Sequence, residues 1–400
     1  QMYFGQHNLK TLTRAFERRA CCLLQADSAK CMIENALNRP AINWVNVVKV
    51  GGVFASWCIG SGFVTGQECL QYFVGYGAMG YAAILEAMLL HIVLLISFFT
   101  LGFSLRNANP MQIFEYYAGK KMAKVFQVMS LLMSASCPIV MISGFGAAAN
   151  QYFQIPSAVG NIILGVLCIV TVLLGLNKMV DVCGAIGPVI VVFAIGIGAY
   201  YLTGHLDGVR AGIEIAPTLP LSKIAPVWWM SAYYYVAPLH SAPYMAATAT
   251  TCNSRREAIY GGIFGVIIYA AAVLTMVTAT FSNVEELSSS MIPNLYIANQ
   301  ISPVLGFIFV LLIFLGIYSS TAPCFFNVCR NFAEQGTRRY NILAVALCAA
   351  GTLVSLTLPF DQMFSLIYGF FGAVGGILIL CVLGRYVYDF VQRRKGHAVP

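Results

Sequence analysis

Charge is what this sequence has least of. Asp, Glu, Lys and Arg make up 10% of its 400 residues, while 59% are hydrophobic; an ordinary soluble domain carries roughly 25% charged residues. With a mean hydropathy of +0.77, the chain cannot be a water-soluble globule of ordinary kind and reads as a multi-pass membrane protein. Ordered cysteine spacing is also missing. The 13 cysteines show no CxxC and no Cys/His ligand pattern, so neither disulfides nor zinc are expected. Cys58, Cys137, Cys168, Cys348 and Cys381 lie inside apolar runs, where a free thiol behaves as a small hydrophobe. There is no HExxH, no GxSxG and no nucleotide-binding loop, which leaves no support for an enzyme. A ring-forming filter segment is absent as well, which argues against a channel.

Residues 1–42 differ from everything after them. They are polar, basic and too weakly apolar to span a bilayer, and they lack the apolar core and cleavage site of a signal peptide. We expect a cytoplasmic tail. Because the first residue is Gln rather than Met, the native start is expected to be missing or processed.

What the sequence has in abundance is long apolar runs. A bilayer needs about 20 mostly apolar residues per helix, and ten stretches qualify: 44–74, 79–105, 122–150, 158–176, 183–203, 226–246, 258–280, 301–329, 341–358 and 363–386. Of the 23 Lys and Arg, only Arg210 and Lys223 fall on one side of this arrangement, and Lys49 lies within the first span. All the others fall on the opposite side, which marks it as cytoplasmic. Both termini are then cytoplasmic, the expected location is the plasma membrane, and the net charge of +8 follows from topology without any nucleic-acid partner.

The first span contains CIGSGFVTGQECLQYF, with Gly60, Gly62 and Gly66 at its centre. Each glycine in a helix interior costs about 1 kcal/mol relative to alanine. The sixth span contains WWMSAYYYVAPLHSAPYMAA, in which Pro238 and Pro243 bracket His240 and Ser241; each proline removes a helical hydrogen bond. Breaks in the first and sixth of ten spans suggest two repeats of five. Ser134–Pro138 (SASCP) and Ser319–Pro323 (SSTAP), again five spans apart, agree. Five being odd, such repeats must be inverted, as in many secondary transporters, where interrupted helices mark a midplane binding site. Unwound backbone is tolerated in hydrocarbon only where it lines a cavity or is buried, so we expect its N–H and C=O groups to serve a ligand.

Candidate site residues follow. On the first break they are Gly60, Ser61, Gly62, Phe63, Thr65, Gly66 and Glu68; on the second, Tyr234, Tyr235, His240 and Ser241. Thr65-Gly66-Gln67-Glu68 fits a capping box, starting a helix whose positive end would favour an anionic substrate group. A charge at the bilayer centre costs at least ~2.5 kcal/mol, so Glu68 is either that cap, or a proton site or contact for a substrate amine, and the two are compatible. His240 is either a group that titrates near neutrality or a hydrogen-bonded structural one. In span eight Ser319, Ser320 and Thr321 either bond their own helix or serve as oxygen ligands. Glu86 and His91 stand roughly 140° apart on their helix and receive no transport role.

GSGFVTGQECLQYF resembles the first-helix signature of the YkvI-like bacterial membrane proteins, a branch of the amino acid–polyamine–cation superfamily. More loosely, Gly60-Ser61-Gly62 resembles the GxG at the first-helix break of that superfamily. The resemblance implies the LeuT-type fold over residues 43–390: all-helical, ten transmembrane helices in a 5+5 inverted repeat (about 43–203 and 226–386), helices one and six broken at the midplane, and a cytoplasmic tail at 391–400. It also implies a solute transporter with alternating access, whose solute would be an amino acid or related zwitterion. By the same resemblance a sodium ion would be coordinated by the carbonyls of Ser56 and Ile59 and the hydroxyls of Ser320 and Thr321. Some proton-coupled relatives carry a lysine on helix five instead; residues 183–203 contain no Lys or Arg, which favours sodium. Expected partners are thus a small solute, a coupling cation and the lipid bilayer, with oligomeric state unassigned. A proton-coupled carrier and a non-transporting solute sensor are the competing readings.

Overall fold

The computed structural model of the protein describes residues 42–59, 61–104, 110–174 and 179–394. The expected tail at 1–42 therefore lies, apart from residue 42, outside the described residues, as do Gly60, Arg106, Lys178 and residues 395–400 of the C-terminal tail. The chain divides after Asn43, and the helical body is the unit Trp44–Pro400.

Ten spans are present among the described residues. The first is α1 (Trp44–Cys58) followed by α2 (Ser61–Thr65) and a π-helical turn, Cys69–Phe73. Spans two to five are α3 (Met79–Ser104), α4 (Ile113–Phe153), α5 (Ser157–Leu174) and α6 (Met179–Ile215). The sixth is split into α7 (Trp228–Tyr235) and α8 (Pro238–Ala249), and the seventh is α9 (Arg255–Phe281). Two short helices, α10 (Val284–Ser288) and α11 (Pro293–Ile301), precede spans eight to ten: α12 (Pro303–Phe332), α13 (Arg338–Ser355) and α14 (Phe360–Arg394). Among the described residues, seven helices are long and apolar enough to cross a membrane alone. The other three spans are the two broken ones and α13, whose 18 residues rise about 27 Å, close to the bilayer core.

In two of the helices that run past their expected bounds, the excess lies beyond a kink. Gly119 (φ 72°) breaks α4, so span three proper starts after it, close to the expected 122. His205 (φ −133°) interrupts α6, leaving a short helix beyond the expected end at 203. The segment α10–α11 had no counterpart in the sequence reading, which left residues 281–300 as a connection.

The packing follows the repeat. Spans one and two pack with six and seven, whereas spans three and four pack with eight and nine. Close approach of spans one and seven depends on glycine: a Cβ on Gly51 would stand 2.9 Å from the Gly261 carbonyl, and one on Gly265 2.7 Å from that of Gly51. Small residues at such crossings are a common means of association where lipid removes the hydrophobic drive. The same pair is joined at its charged end by the capped start of α9. Ser254 Oγ accepts from the Glu257 amide at 3.2 Å, and Glu257 accepts from the Asn253 amide at 3.2 Å and from Asn46 of α1 at 3.4 Å. Reciprocal bonds of this kind satisfy amides that a helix start leaves orphaned.

Candidate functional site

The first span is interrupted twice. α1 ends at Cys58, and after one turn of α2 the chain passes through Gly66 with φ +94°, a conformation that only glycine adopts without steric cost. A Cβ there would also stand 2.6 Å from Asn294 Oδ1 and 3.0 Å from its amide nitrogen. Asn294 is fully buried at the start of α11 and donates to the carbonyls of Phe63 (2.8 Å) and Val64 (3.3 Å). Two carbonyls near this break are therefore taken by the protein's own loop helix rather than left for a ligand, which corrects that part of the expectation.

The capping box at Thr65–Glu68 is replaced by a different arrangement. The Thr65 hydroxyl donates to the Gly62 carbonyl at 3.0 Å and accepts from the Gln67 amide at 3.4 Å. Glu68 instead turns its carboxylate inward. Its Oε2 accepts from the Tyr269 hydroxyl at 3.2 Å, and a Cβ on Gly62 would lie 2.5 Å from its Oε1 and 2.6 Å from the Phe364 ring. Gly62 thus makes room for the glutamate. The positive φ at Gly66 brings Glu68 back over the short helix, which sequence spacing alone could not show.

The second break is built otherwise. Ala237 is in the left-handed region at φ 42°, ψ 53°, and Pro238 opens α8 as its first residue, where a missing N–H costs nothing. A non-glycine residue in that region is strained and is held by its surroundings. Tyr235, the last residue of α7, donates to Tyr269 at 2.7 Å. Tyr234 packs against Gly372 of α14, and Ser241 is buried inside α8.

Between the two breaks is a cavity of about 70 Å³. Spans one, two, six and seven contribute Cys58, Glu68, Tyr72, His91, Tyr235 and Tyr269; Ala237 and His240 come from the second break. Met133, Cys137 and Met141 of span three and Tyr368 of span ten complete the wall. The cavity brings together the expected Glu68, Tyr235 and His240, while Phe63 is fully buried behind Tyr269, ring centroids 5.3 Å apart. Tyr72, Tyr269, Tyr368 and His91 were missed. The signal for His91 is its being an ionisable residue within the membrane; its angle to Glu86 says nothing of its angle to the first break.

A second, larger cavity of about 1020 Å³ opens on the face that carries α10 and α11. Its walls carry many amides and hydroxyls, among them Gln151, Asn161, Ser290, Asn299 and Gln300, beside apolar residues such as Met291 and Leu358. Its one acid, Glu286, is held below the usual carboxylate range by donation from Tyr296 and from Asn283. A plug separates this vestibule from the cavity. Phe360 lines the vestibule, Phe364 is fully buried below it, and Tyr368, stacked on Phe364 at 4.6 Å, faces the cavity. Beside them Gln71 donates to Gln67 and to the Asp361 carbonyl and accepts from Ser365, all at 3.0–3.1 Å. Gln67 in turn donates to the Met291 carbonyl at 3.1 Å.

The residues expected to hold sodium are distributed as follows. Ser320 and Thr321 donate to the carbonyls of Gly316 (3.1 Å) and Ile317 (2.6 Å). Thr321 is fully buried, and the turn above, at Gly316, meets Ile190 of span five and Val64. Ile59 is buried, its amide donating to the Ala55 carbonyl at 3.0 Å. The side chains of Ser56 and Ser61 lie outside what the structure describes. Among the described residues no cluster of three or more His, Cys, Asp or Glu is arranged to hold a metal ion.

No family model matches the sequence. One curated protein, the uncharacterized protein YyaD of Bacillus subtilis (strain 168), is 29% identical over 116 residues. That match takes in 29% of this chain and 32% of YyaD, about a third of its length. Solved structures with the same fold include MhsT in complex with L-phenylalanine, at 17% identity and a TM-score of 0.56 over 84% of this chain and 87% of that one. The inward-facing conformation of Mhp1 superposes at 16% identity and a TM-score of 0.58, over 86% and 77%. A closed conformation of Mhp1, with bromovinylhydantoin bound, gives 14% and 0.52 over 83% and 77%. These likenesses establish the LeuT-type fold.

Proposed function

We propose that the protein is a secondary active transporter that moves a small polar solute bearing an amino group, the class that includes the expected amino acids, by alternating access. The observation that carries this reading is the cavity at the meeting of two interrupted helices, walled by both packing groups and shut from a wide vestibule by a plug two aromatic residues deep. Such a site can face one side at a time only if one group rocks against the other. Among proteins of this fold, Mhp1 is described as a nucleobase–cation-symport transporter and MhsT holds L-phenylalanine, which is consistent with a small-solute carrier.

Sodium is the coupling ion we favour. The support is chemical: two hydroxyls on span eight, Ser320 and Thr321, keep their acceptor lone pairs after donating to their own helix, and hard cations take oxygen ligands. One observation favours protons instead, the chain of hydroxyls from Tyr235 through Tyr269 to Glu68. Uptake into proteoliposomes separates these. Accumulation driven by an imposed sodium gradient and lost in Ser320→Ala/Thr321→Ala is the expected result. Accumulation driven by a proton gradient alone and lost in Glu68→Gln would replace sodium with protons. Saturable binding without accumulation under either gradient would make the protein a sensor and end the transporter reading.

A further inference from the structure

We propose that the central cavity is an ammonium site, and that its ligand is a small organic cation without a carboxylate. This rests on the solute-carrier reading above and narrows its substrate. Three features of the cavity lead to it.

The first is charge. Glu68 is the one carboxylate in the wall, and the wall holds no Lys or Arg. Among the described residues Glu68 has no ion-pair partner; the recorded pairs are Arg210–Glu214 and Arg385–Asp389. A carboxylate in hydrocarbon is retained where something offsets its charge, and a bound ammonium would do so.

The second is the aromatic lining. Tyr72, Tyr235, Tyr269 and Tyr368 all border the cavity. Tyr235 lies parallel to Tyr269 at 6.3 Å and edge-on to Tyr72 at 5.2 Å. Aromatic enclosures of this kind attract cations through the ring quadrupole and are a recurring means of binding ammonium groups. Their ring faces offer a carboxylate nothing comparable.

The third is the count of donors and acceptors. The Tyr235 hydroxyl is spent on Tyr269, and that of Tyr269 lies within bonding distance of Glu68 (3.2 Å) and the Cys58 carbonyl (3.3 Å). His91 Nδ1 lies 3.1 Å from the Ala87 carbonyl, which can only accept, so in the neutral ring Nε2 is an acceptor. Glu68 and His91 Nε2 thus present acceptors to the cavity, beside hydroxyls of Tyr72 and Tyr368 that can either donate or accept. The glutamate also rests against Gly62, on the break where the sequence led us to expect the anionic group of a substrate. The protein supplies that anion itself.

The test uses purified full-length protein in detergent and reads ligand affinity by thermal unfolding at matched ionic strength. The probes are methylammonium, ethanolamine and choline as cations, glycine and alanine as zwitterions, and acetate as anion. At least one cation should bind on the order of tenfold to a hundredfold more tightly than either zwitterion, the worth of one charge-assisted hydrogen bond; acetate should not bind. Glu68→Gln should remove that preference and Glu68→Asp retain part of it, so loss of folding in one variant leaves the other as the check. Glycine or alanine binding as tightly as the cations would overturn the proposal while leaving a carrier of amino acids in place. No stabilisation by any cation would also overturn it. A cation that binds to the cavity yet is never accumulated in vesicles would leave the ammonium site standing and remove the transport reading on which it was built.

Discussion

The two breaks do the same job with opposite chemistry. At the first, the chain turns through a glycine at φ +94°, and the loop helix α11 presses Asn294 into the gap so closely that no side chain fits. At the second, an alanine takes the left-handed turn at φ 42° and a proline opens the helix that follows. The first break is thus filled from within the protein on one side and opens to the cavity through Cys58 and the inward-folded Glu68. The second presents Ala237 and His240 to the cavity directly. An unwound helix in a membrane need not leave its polar backbone to a ligand. It can hand it to a loop, and that loop then becomes coupled to the binding site.

The largest effect should come from denying the first break its glycine. Gly66→Val adds a β-branched side chain to a left-handed residue facing Asn294. The left-handed backbone costs ~1–2 kcal/mol and overpacking a further ~1–3 kcal/mol, so we expect a loss of roughly 2–5 kcal/mol, read as a lower unfolding midpoint in detergent. A variant as stable as the wild type would mean that α11 does not seat against the break as described.

A smaller effect separates the two breaks. Asn294→Ala leaves the Phe63 and Val64 carbonyls without their buried donor, at a cost of about 1–3 kcal/mol. Hydrogen exchange should quicken across 284–301 and around Gly66 while α8 keeps its protection. Equal loosening at both breaks would show them to be one cooperative unit rather than two devices.

Much of this was legible beforehand, and the reasons are specific. Span number and order follow from hydropathy, which the bilayer imposes residue by residue. Both interruptions were visible because Gly and Pro act on their own backbone. Glu68 stood out because an acid in a membrane needs a cause. What stayed hidden depends on contacts distant in sequence. Asn294 lies more than 200 residues from the carbonyls it serves, in a stretch with no apolar run to draw attention to it. Tyr269 is one tyrosine in the apolar run GVIIYAAAV, and only the packing of span seven on span one brings its hydroxyl to Glu68. The capping box failed for a related reason: the local motif was present, but Gly66 turned the chain and Tyr269 offered the carboxylate a partner beyond its reach in sequence.

The smallest effect reverses the first. Ala237→Gly removes a Cβ from a residue held at positive φ, relieving ~1–2 kcal/mol of left-handed strain. Against this stands the extra freedom glycine gives the unfolded chain, about 0.4–1 kcal/mol. The net change in stability should lie between zero and about 1.6 kcal/mol of gain. Affinity should move the other way. Ala237 lines the cavity and its carbonyl accepts from both His240 and Ser241 at 3.2 Å, so a looser turn lets the wall that carries His240 relax away from the ligand. A variant that is at least as stable yet binds more weakly would identify Ala237 as strain kept for the sake of the site. A variant that is less stable and binds unchanged would show instead that the alanine methyl is an ordinary packing contact, and that the second break, unlike the first, imposes no demand on the residue at its turn.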